Sequence, residues 1–273
     1  MNRIARASLG MLFVASVGCA PVGDAPEGLG TDTQEVVNGA IAFDDAVRAY
    51  GLVTVSWNGL GCTGVVYKNS WVLTASHCFN FTEPTAGVTV TFAGQSFTGD
   101  RVRRVSTADL ALVHLTAPVT MNGSTTGYTV PFYQGTIPAL QGRGLYCFGA
   151  GTHAFRQGGG AIVDWRMRWA VLTVASYWVE GRLYNFAPNS LGQILGGGDS
   201  GGPCFDYANG VMSLTGISRN AGRVCANLQP GQACDDNTVT SIAWSDQTFA
   251  RSYAGTMTLL TGGPLNPVVP RFP

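Results

Sequence analysis

Lysine is almost missing from this chain. Lys68 is the only one among 273 residues, and charged residues of all kinds amount to 12%, about half the share of an ordinary soluble domain. Glutamate is scarce as well, so two common helix formers are in short supply. No segment before residue 240 carries a helical period. The few charges cancel: sixteen basic and sixteen acidic residues give a formal charge of zero. That argues against a basic field for nucleic acid and against a basic block for a lipid surface. There is neither an HExxH motif nor a pair of Cys-x-x-Cys motifs, so nothing points to zinc, and no cofactor is expected.

What is present is glycine, at 37 residues, within a chain that is 45% hydrophobic. Together these favour a turn-rich all-β protein with a large core. Short runs of β-branched and aromatic residues recur from Val36 onward: VTVSW, GVVYK, WVLTAS, VTVTFAG and DLALVHL, then RWAVLTVASYWV, GRLYNFA and GVMSLTGIS. Gly and Asn mark the turns between them. More than ten such runs in about 210 residues suggest two small β-barrels rather than one large one. The boundaries expected are residues 36–135 and 136–245 for the two barrels and 246–273 for a terminal helix and tail. SDQTFARSYAGTM, residues 245–257, reads as that helix, capped by Ser245 or Asp246. The Pro-rich end GGPLNPVVPRFP reads as extended.

The beginning of the chain has a different character. Arg3 and Arg6 precede an apolar stretch from Ala7 to Gly18, too short to span a bilayer. This is an export signal, and residues 1–19 are assigned to it. It ends in SVGC, which resembles a bacterial lipobox with Ser16 in place of the usual Leu. Two outcomes stay open: lipidation of Cys19, which would tether the protein to a membrane, or plain secretion. Both deliver the chain to an oxidising compartment. Residues 20–35 carry four acidic residues, no basic one and little to bury, so they read as a propeptide or tether. Setting Cys19 aside leaves Cys62, Cys78, Cys147, Cys204, Cys225 and Cys234, an even set that reads as three disulfides with fifteen possible pairings.

Chemistry concentrates in a few places. GGGDSGGPCF, residues 196–205, puts one Asp-Ser pair inside five glycines. Such a loop is either a flexible surface turn or a backbone shaped to aim N–H groups at a developing negative charge. Of the three histidines, His114 lies at the polar position of a strand and His153 in a glycine-flanked loop. His77 stands between an apolar strand and Cys78, where a bridge would hold it as a general base. Asp109 opens the apolar run DLALVHL, where a charge is costly without a partner. It is either a turn residue or the carboxylate that orients an imidazole.

Taken together, LTASHC around His77, DLAL at Asp109 and GDSGGP around Ser200, in that chain order, resemble the chymotrypsin-like (trypsin-fold, S1) serine proteases. The resemblance covers residues 36 to about 245. It implies two packed six-stranded antiparallel barrels with a short C-terminal helix, and a serine endopeptidase acting on protein or peptide substrates, expected to be a monomer. By resemblance, His77, Asp109 and Ser200 form the triad, and the N–H groups of Gly198 and Ser200 the oxyanion hole. VVNG at residues 36–39 resembles the family's activation site, and 41 positions separate Val36 from His77 as in the family. The implied zymogen is cut between Glu35 and Val36. The new α-amino group of Val36 then pairs with Asp199 and orders the glycine loop, and an uncut chain with a disordered loop would be nearly silent. The family pattern further implies bridges Cys62–Cys78 and Cys147–Cys204, which leaves Cys225–Cys234.

Some features depart from the family. The base of the specificity pocket falls on Ile194, which disfavours both basic and acidic guests and favours a small or apolar one, unless Ile194 itself fills the pocket. The strand GISRN lacks the family's Trp-Gly, and Ser218 is the expected substrate-lining serine. The interval from His77 to Asp109 is short and too poor in acidic residues for a calcium loop. An apolar pocket would not cut after Glu35, so a separate activating protease is expected. A non-catalytic homologue that binds a partner is the alternative to an enzyme.

Overall fold

The run Val88–Phe92 shows how this sequence becomes sheet. Val88, Val90 and Phe92 are buried while Thr89 and Thr91 face outward, the period of two that a half-buried strand requires. The computed structural model describes residues 36–157, 159–225, 234 and 239–262. The leader, Cys19, the tether with Glu35 and the tail after Gly262 lie outside the described residues.

In chain order the elements are β1 (Ala40–Ile41), α1 (Asp44–Tyr50), β2 (Leu52–Trp57), β3 (Leu60–Lys68), β4 (Trp71–Thr74), β5 (Val88–Phe92), β6 (Gln95–Val105), β7 (Leu110–Leu115), β8 (Gly144–Gly149), β9 (Thr152–Phe155), β10 (Ala161–Val163), β11 (Arg168–Trp178), β12 (Leu183–Phe186), β13 (Pro203–Ala208), β14 (Val211–Cys225), β15 (Val239–Phe249) and α2 (Ala254–Thr261). The first barrel closes in the order β2-β3-β4-β7-β6-β5. The second runs β8-β11-β12-β15-β14-β13, and β13 pairs back onto β8 to close it, with β1 added along β11. Every strand pairing is antiparallel. Closure leaves few open edges.

Each barrel is filled mainly by the inward residues of its own strands, and Phe148, Phe205 and Leu214 of the second barrel join the first core. Val53, Val65, Leu73, Val90, Val102 and Leu112 belong to the first core; Leu145, Leu172, Val174, Ile194 and Ile242 belong to the second. Each such side chain contributes about 1.5–3 kcal/mol on burial, as an upper estimate. Three disulfides add covalent ties: Cys62–Cys78, Cys147–Cys204 and Cys225–Cys234. Cys147 and Cys204 are directly opposed on β8 and β13, with Cα atoms 4.0 Å apart.

Two local expectations change. DDAVRAY forms the helix α1, ended by Gly51 at φ +65°, whose N–H returns to the Val47 carbonyl. Seven residues are too few to show a helical period in the sequence. The expected helix over 245–257 is a strand as far as Phe249, a 3₁₀ turn over Ala250–Tyr253, and helix only from Ala254. Ser245 is paired on both sides, with Phe186 of β12 and Ala221 of β14. Two ladders of backbone hydrogen bonds outweigh the capping tendency of Ser and Asp.

Candidate active site

His77 sits on a single 3₁₀ turn, Ser76–Phe79, directly after β4. The Cys62–Cys78 bridge ties this turn to β3. Asp109 immediately precedes β7, the neighbour of β4 in the barrel. Its two oxygens both serve His77: Oδ1 accepts the backbone N–H at 2.9 Å, and Oδ2 lies 2.6 Å from Nδ1. With Nδ1–H donated to the carboxylate, Nε2 is left as the lone-pair nitrogen. The Asp109 side chain is 8% exposed and that of His77 is 29% exposed. Burial alone would raise the Asp109 carboxyl; the hydrogen bonds and charge of His77 outweigh it and hold the group below its ordinary value. The His77 ring and the two sulfurs lie within 4.8 Å of one another, but sulfurs joined in a bridge offer no thiolate to a metal.

The glycine loop 196–202 belongs to the second half of the chain and is held by the first barrel. The Thr63 N–H donates to the Ser200 carbonyl at 2.9 Å, and the Thr63 hydroxyl donates to the Gly198 carbonyl at 3.0 Å while accepting the Ala150 N–H at 3.0 Å. The carbonyl of Ser200 also lies 3.9 Å from Cys78 Sγ, which brings the serine against the His77 turn. Gly201 has φ +84°, and a Cβ there would stand 2.0 Å from the Thr74 hydroxyl and 2.2 Å from the Thr63 carbonyl. Only glycine allows the loop to approach β3 and β4 so closely. Among the described residues, the Ser200 hydroxyl has no hydrogen-bond partner, and neither have the N–H groups of Gly198 and Ser200. The site therefore offers an unengaged hydroxyl, two unengaged amides and an oriented imidazole.

Asp199 is wholly buried. Its carboxylate accepts the Gly196 N–H at 2.7 Å and the Gly151 N–H at 2.8 Å. Burial pushes this group up to about 7, against the pull of those amides and of the Arg168 charge. Val36 is also fully buried, and Val37 bridges to Ile194. In this continuous chain the Val36 nitrogen belongs to a peptide bond, and the hydrogen bonds of Asp199 among the described residues go to Gly196 and Gly151 rather than to Val36. Ile194 is 1% exposed and belongs to the second core with Val36 and Leu195. Ser218 is 4% exposed; its carbonyl accepts the Gly201 N–H and its own N–H donates to the Gly202 carbonyl, both at 2.8 Å. It thus braces the glycine loop. His114 pairs with Asp100 at 2.7 Å, and His153, on β9, is 6% exposed with its carbonyl accepting the Asn38 N–H.

A cleft of about 620 Å³ opens beside His77, bounded by Phe81, Arg104, Trp178, Arg219 and Asn220. Arg219 is held by Asp246 at 3.2 Å, and Asp246 also accepts the Asn220 N–H at 2.8 Å. Sequence reasoning missed Thr63, Arg219 and Asp246. An isolated Thr or ion pair has no spacing signal, and only the closure of the barrels brings these residues to the site.

Two consequences are measurable. Thr63→Val keeps the shape and removes the hydroxyl, leaving the Ala150 N–H and the Gly198 carbonyl without their partner. A loss of about 2 kcal/mol in urea unfolding is expected, and an unchanged midpoint would contradict this role. The second concerns pH. A carboxyl whose folded value lies near 7, above 3.8 when unfolded, binds protons more tightly in the folded chain. Its burial costs nothing below about pH 4, and stability is lost as pH rises toward 7, by on the order of a few kcal/mol. The uncut chain should therefore unfold at lower urea at pH 8 than at pH 5. Asp199→Asn should flatten that slope, and an equally steep slope in the variant would rule out Asp199 as its source.

Comparison with known proteins agrees with this architecture. The family model for trypsin matches residues 44–235. No curated protein matches. Among solved structures, the scabies mite inactivated protease paralogue S-D1 is similar, with a TM-score of 0.58 and 16% sequence identity over 82% of this chain and 97% of that one. At that identity the likeness speaks for the fold. With 192 of 273 residues inside the family match, this chain belongs to the trypsin family of serine proteases.

Proposed function

We propose that this chain is an exported serine endopeptidase, made as a zymogen. The observations that support the reading are an imidazole of His77 oriented by Asp109, a Ser200 carbonyl 3.9 Å from Cys78 on the His77 turn, and two unengaged N–H groups in the glycine loop. Nε2 of His77 takes the proton of Ser200 as Oγ attacks the peptide carbonyl. The N–H groups of Gly198 and Ser200 receive the oxyanion. The imidazolium, stabilised by Asp109, gives the proton to the leaving amine. The acyl-enzyme is then hydrolysed by water through the same steps.

Cutting between Glu35 and Val36 would free an α-amino group on the buried Val36, able to pair with the buried carboxylate of Asp199. Pairing of Val36 with Asp199 would relieve that burial cost and brace the oxyanion loop. The buried Ile194 favours small or apolar side chains before the scissile bond. Self-cutting after Glu35 is therefore disfavoured, and a separate protease performs it. Purified zymogen incubated alone should keep its N-terminus; unaided appearance of Val36 would overturn this. If Cys19 is lipidated, the same cut releases the enzyme from its membrane. A membrane-bound form beginning at Val36 would contradict that release.

A second reading, a binding homologue without catalysis, draws on the fold it shares with a protein described as inactivated. Hydrolysis of a mixed peptide library by the cut protein, lost in Ser200→Ala, supports the enzyme. A folded, cut protein with no hydrolysis supports the binding reading.

A further inference from the structure

Arg168 and Asp199 are both withdrawn from water, at 2% and 0% exposure. A buried guanidinium needs anions around it. One is Asp164, which accepts two of its N–H groups at 3.0 and 3.2 Å. Asp164 is itself 39% exposed, so its charge is shared with solvent.

The sheet register brings a further carboxylate toward it. Arg168 stands directly opposite Gly149 in the β8–β11 pair. Side chains of directly opposed residues leave the sheet on the same face, with Cβ atoms about 5 Å apart. Gly149 has no Cβ, and one built there would lie 2.0 Å from Asp199 Oδ1. The Asp199 carboxylate therefore occupies the place of the side chain that would neighbour Arg168. Electrostatics agree: the Arg168 charge opposes the rise of Asp199 that burial causes, and Asp199 opposes the fall of Arg168.

We propose that Arg168 is a positioning residue, an internal counter-cation for Asp199 that holds the Gly196–Ser200 loop in its working form while the chain is still continuous, so that the uncut protein is already a slow peptidase. The proposal rests on the endopeptidase reading above. It accounts for a feature that the α-amino switch leaves unexplained. Asp199 is already in place on the Gly196 and Gly151 amides, and the Gly198 and Ser200 N–H groups are already unengaged, with Val36 in a peptide bond. Once Val36 is freed, its ammonium takes over most of the task, and Arg168 matters less.

The test is the rate at which a fluorophosphonate probe labels Ser200, followed by intact mass on the full chain. It compares the uncut protein with protein cut at an engineered site that leaves Val36 first, for wild type, Arg168→Gln and Arg168→Lys. Loss of the oxyanion donors costs about 10²–10³ in rate. Uncut wild type should label slowly but measurably, and uncut Arg168→Gln at least about 100-fold more slowly still. Uncut Arg168→Lys should regain most of that loss. Cut Arg168→Gln should lose less than tenfold, and its labelling also shows that the variant folds. Uncut Arg168→Gln labelling as fast as uncut wild type would overturn the proposal. So would an unlabelled uncut wild type beside a labelled cut one, and in that case the endopeptidase reading stands. If cut wild type also fails to label, the endopeptidase reading falls and takes this proposal with it.

Discussion

Replacing Ser200 with alanine is expected to lower kcat of the cut protein by about 10⁶-fold, a magnitude that belongs to this triad as a class. The structure makes the experiment clean. The Ser200 hydroxyl has no hydrogen-bond partner among the described residues, and the serine is tied to the fold through its carbonyl, held by the Thr63 N–H at 2.9 Å. Alanine keeps that bond, so the urea midpoint should move little while hydrolysis collapses. The N–H groups of Gly198 and residue 200 also remain, and they should leave a residual rate of about 10³–10⁴ over water. Hydrolysis at an undiminished rate in Ser200→Ala would remove Ser200 from the chemistry.

Asp109→Asn should cost about 10⁴-fold in kcat, again the size associated with the triad in general. Here the cause can be traced to atoms. The carboxylate has two acceptor oxygens and uses both on His77, one on the backbone N–H at 2.9 Å and one on Nδ1 at 2.6 Å. An asparagine offers one acceptor and one donor. If its oxygen keeps the backbone N–H, its NH₂ group faces Nδ1 and requires a lone pair there. The ring proton then moves to Nε2, the nitrogen that must accept the Ser200 proton. The imidazole is held in nearly the same place in the wrong tautomer, so KM should change far less than kcat. Equal losses in kcat and in stability, with no separate catalytic effect, would mean that Asp109 serves the fold alone.

Much of this architecture is legible in the sequence, because strand alternation and glycine-marked turns are local signals. VTVTF declares its buried face within five residues, and the spacing of such runs suggests two barrels. The motifs around His77, Asp109 and Ser200 are legible through family resemblance, since each is a short contiguous string. What is not legible depends on contacts between distant segments. Thr63 supports the glycine loop only because β3 passes beneath residues 198–200. Arg168 is only the first residue of the strand-like run RWAVLTVASYWV until the register sets it opposite Gly149. SDQTF contains good capping residues, but partners on both sides draw it into the sheet. Ile194 could be assigned to the base of the pocket region by position, while its packing against Val36 and Leu195 emerged only from the fold.

The central claim is that Ser200 is an activated nucleophile governed by the state of Asp199. Intact-mass labelling of the Glu35–Val36-cut protein with a fluorophosphonate, beside Ser200→Ala and the uncut chain, tests it most directly. The Ser200 oxygen displaces fluoride from phosphorus, so one adduct on Ser200 is the predicted result, absent in the alanine variant and formed at least about tenfold faster after cutting than before. A folded, correctly cut protein that gains no adduct would contradict the account and leave a trypsin-family fold that binds rather than cuts.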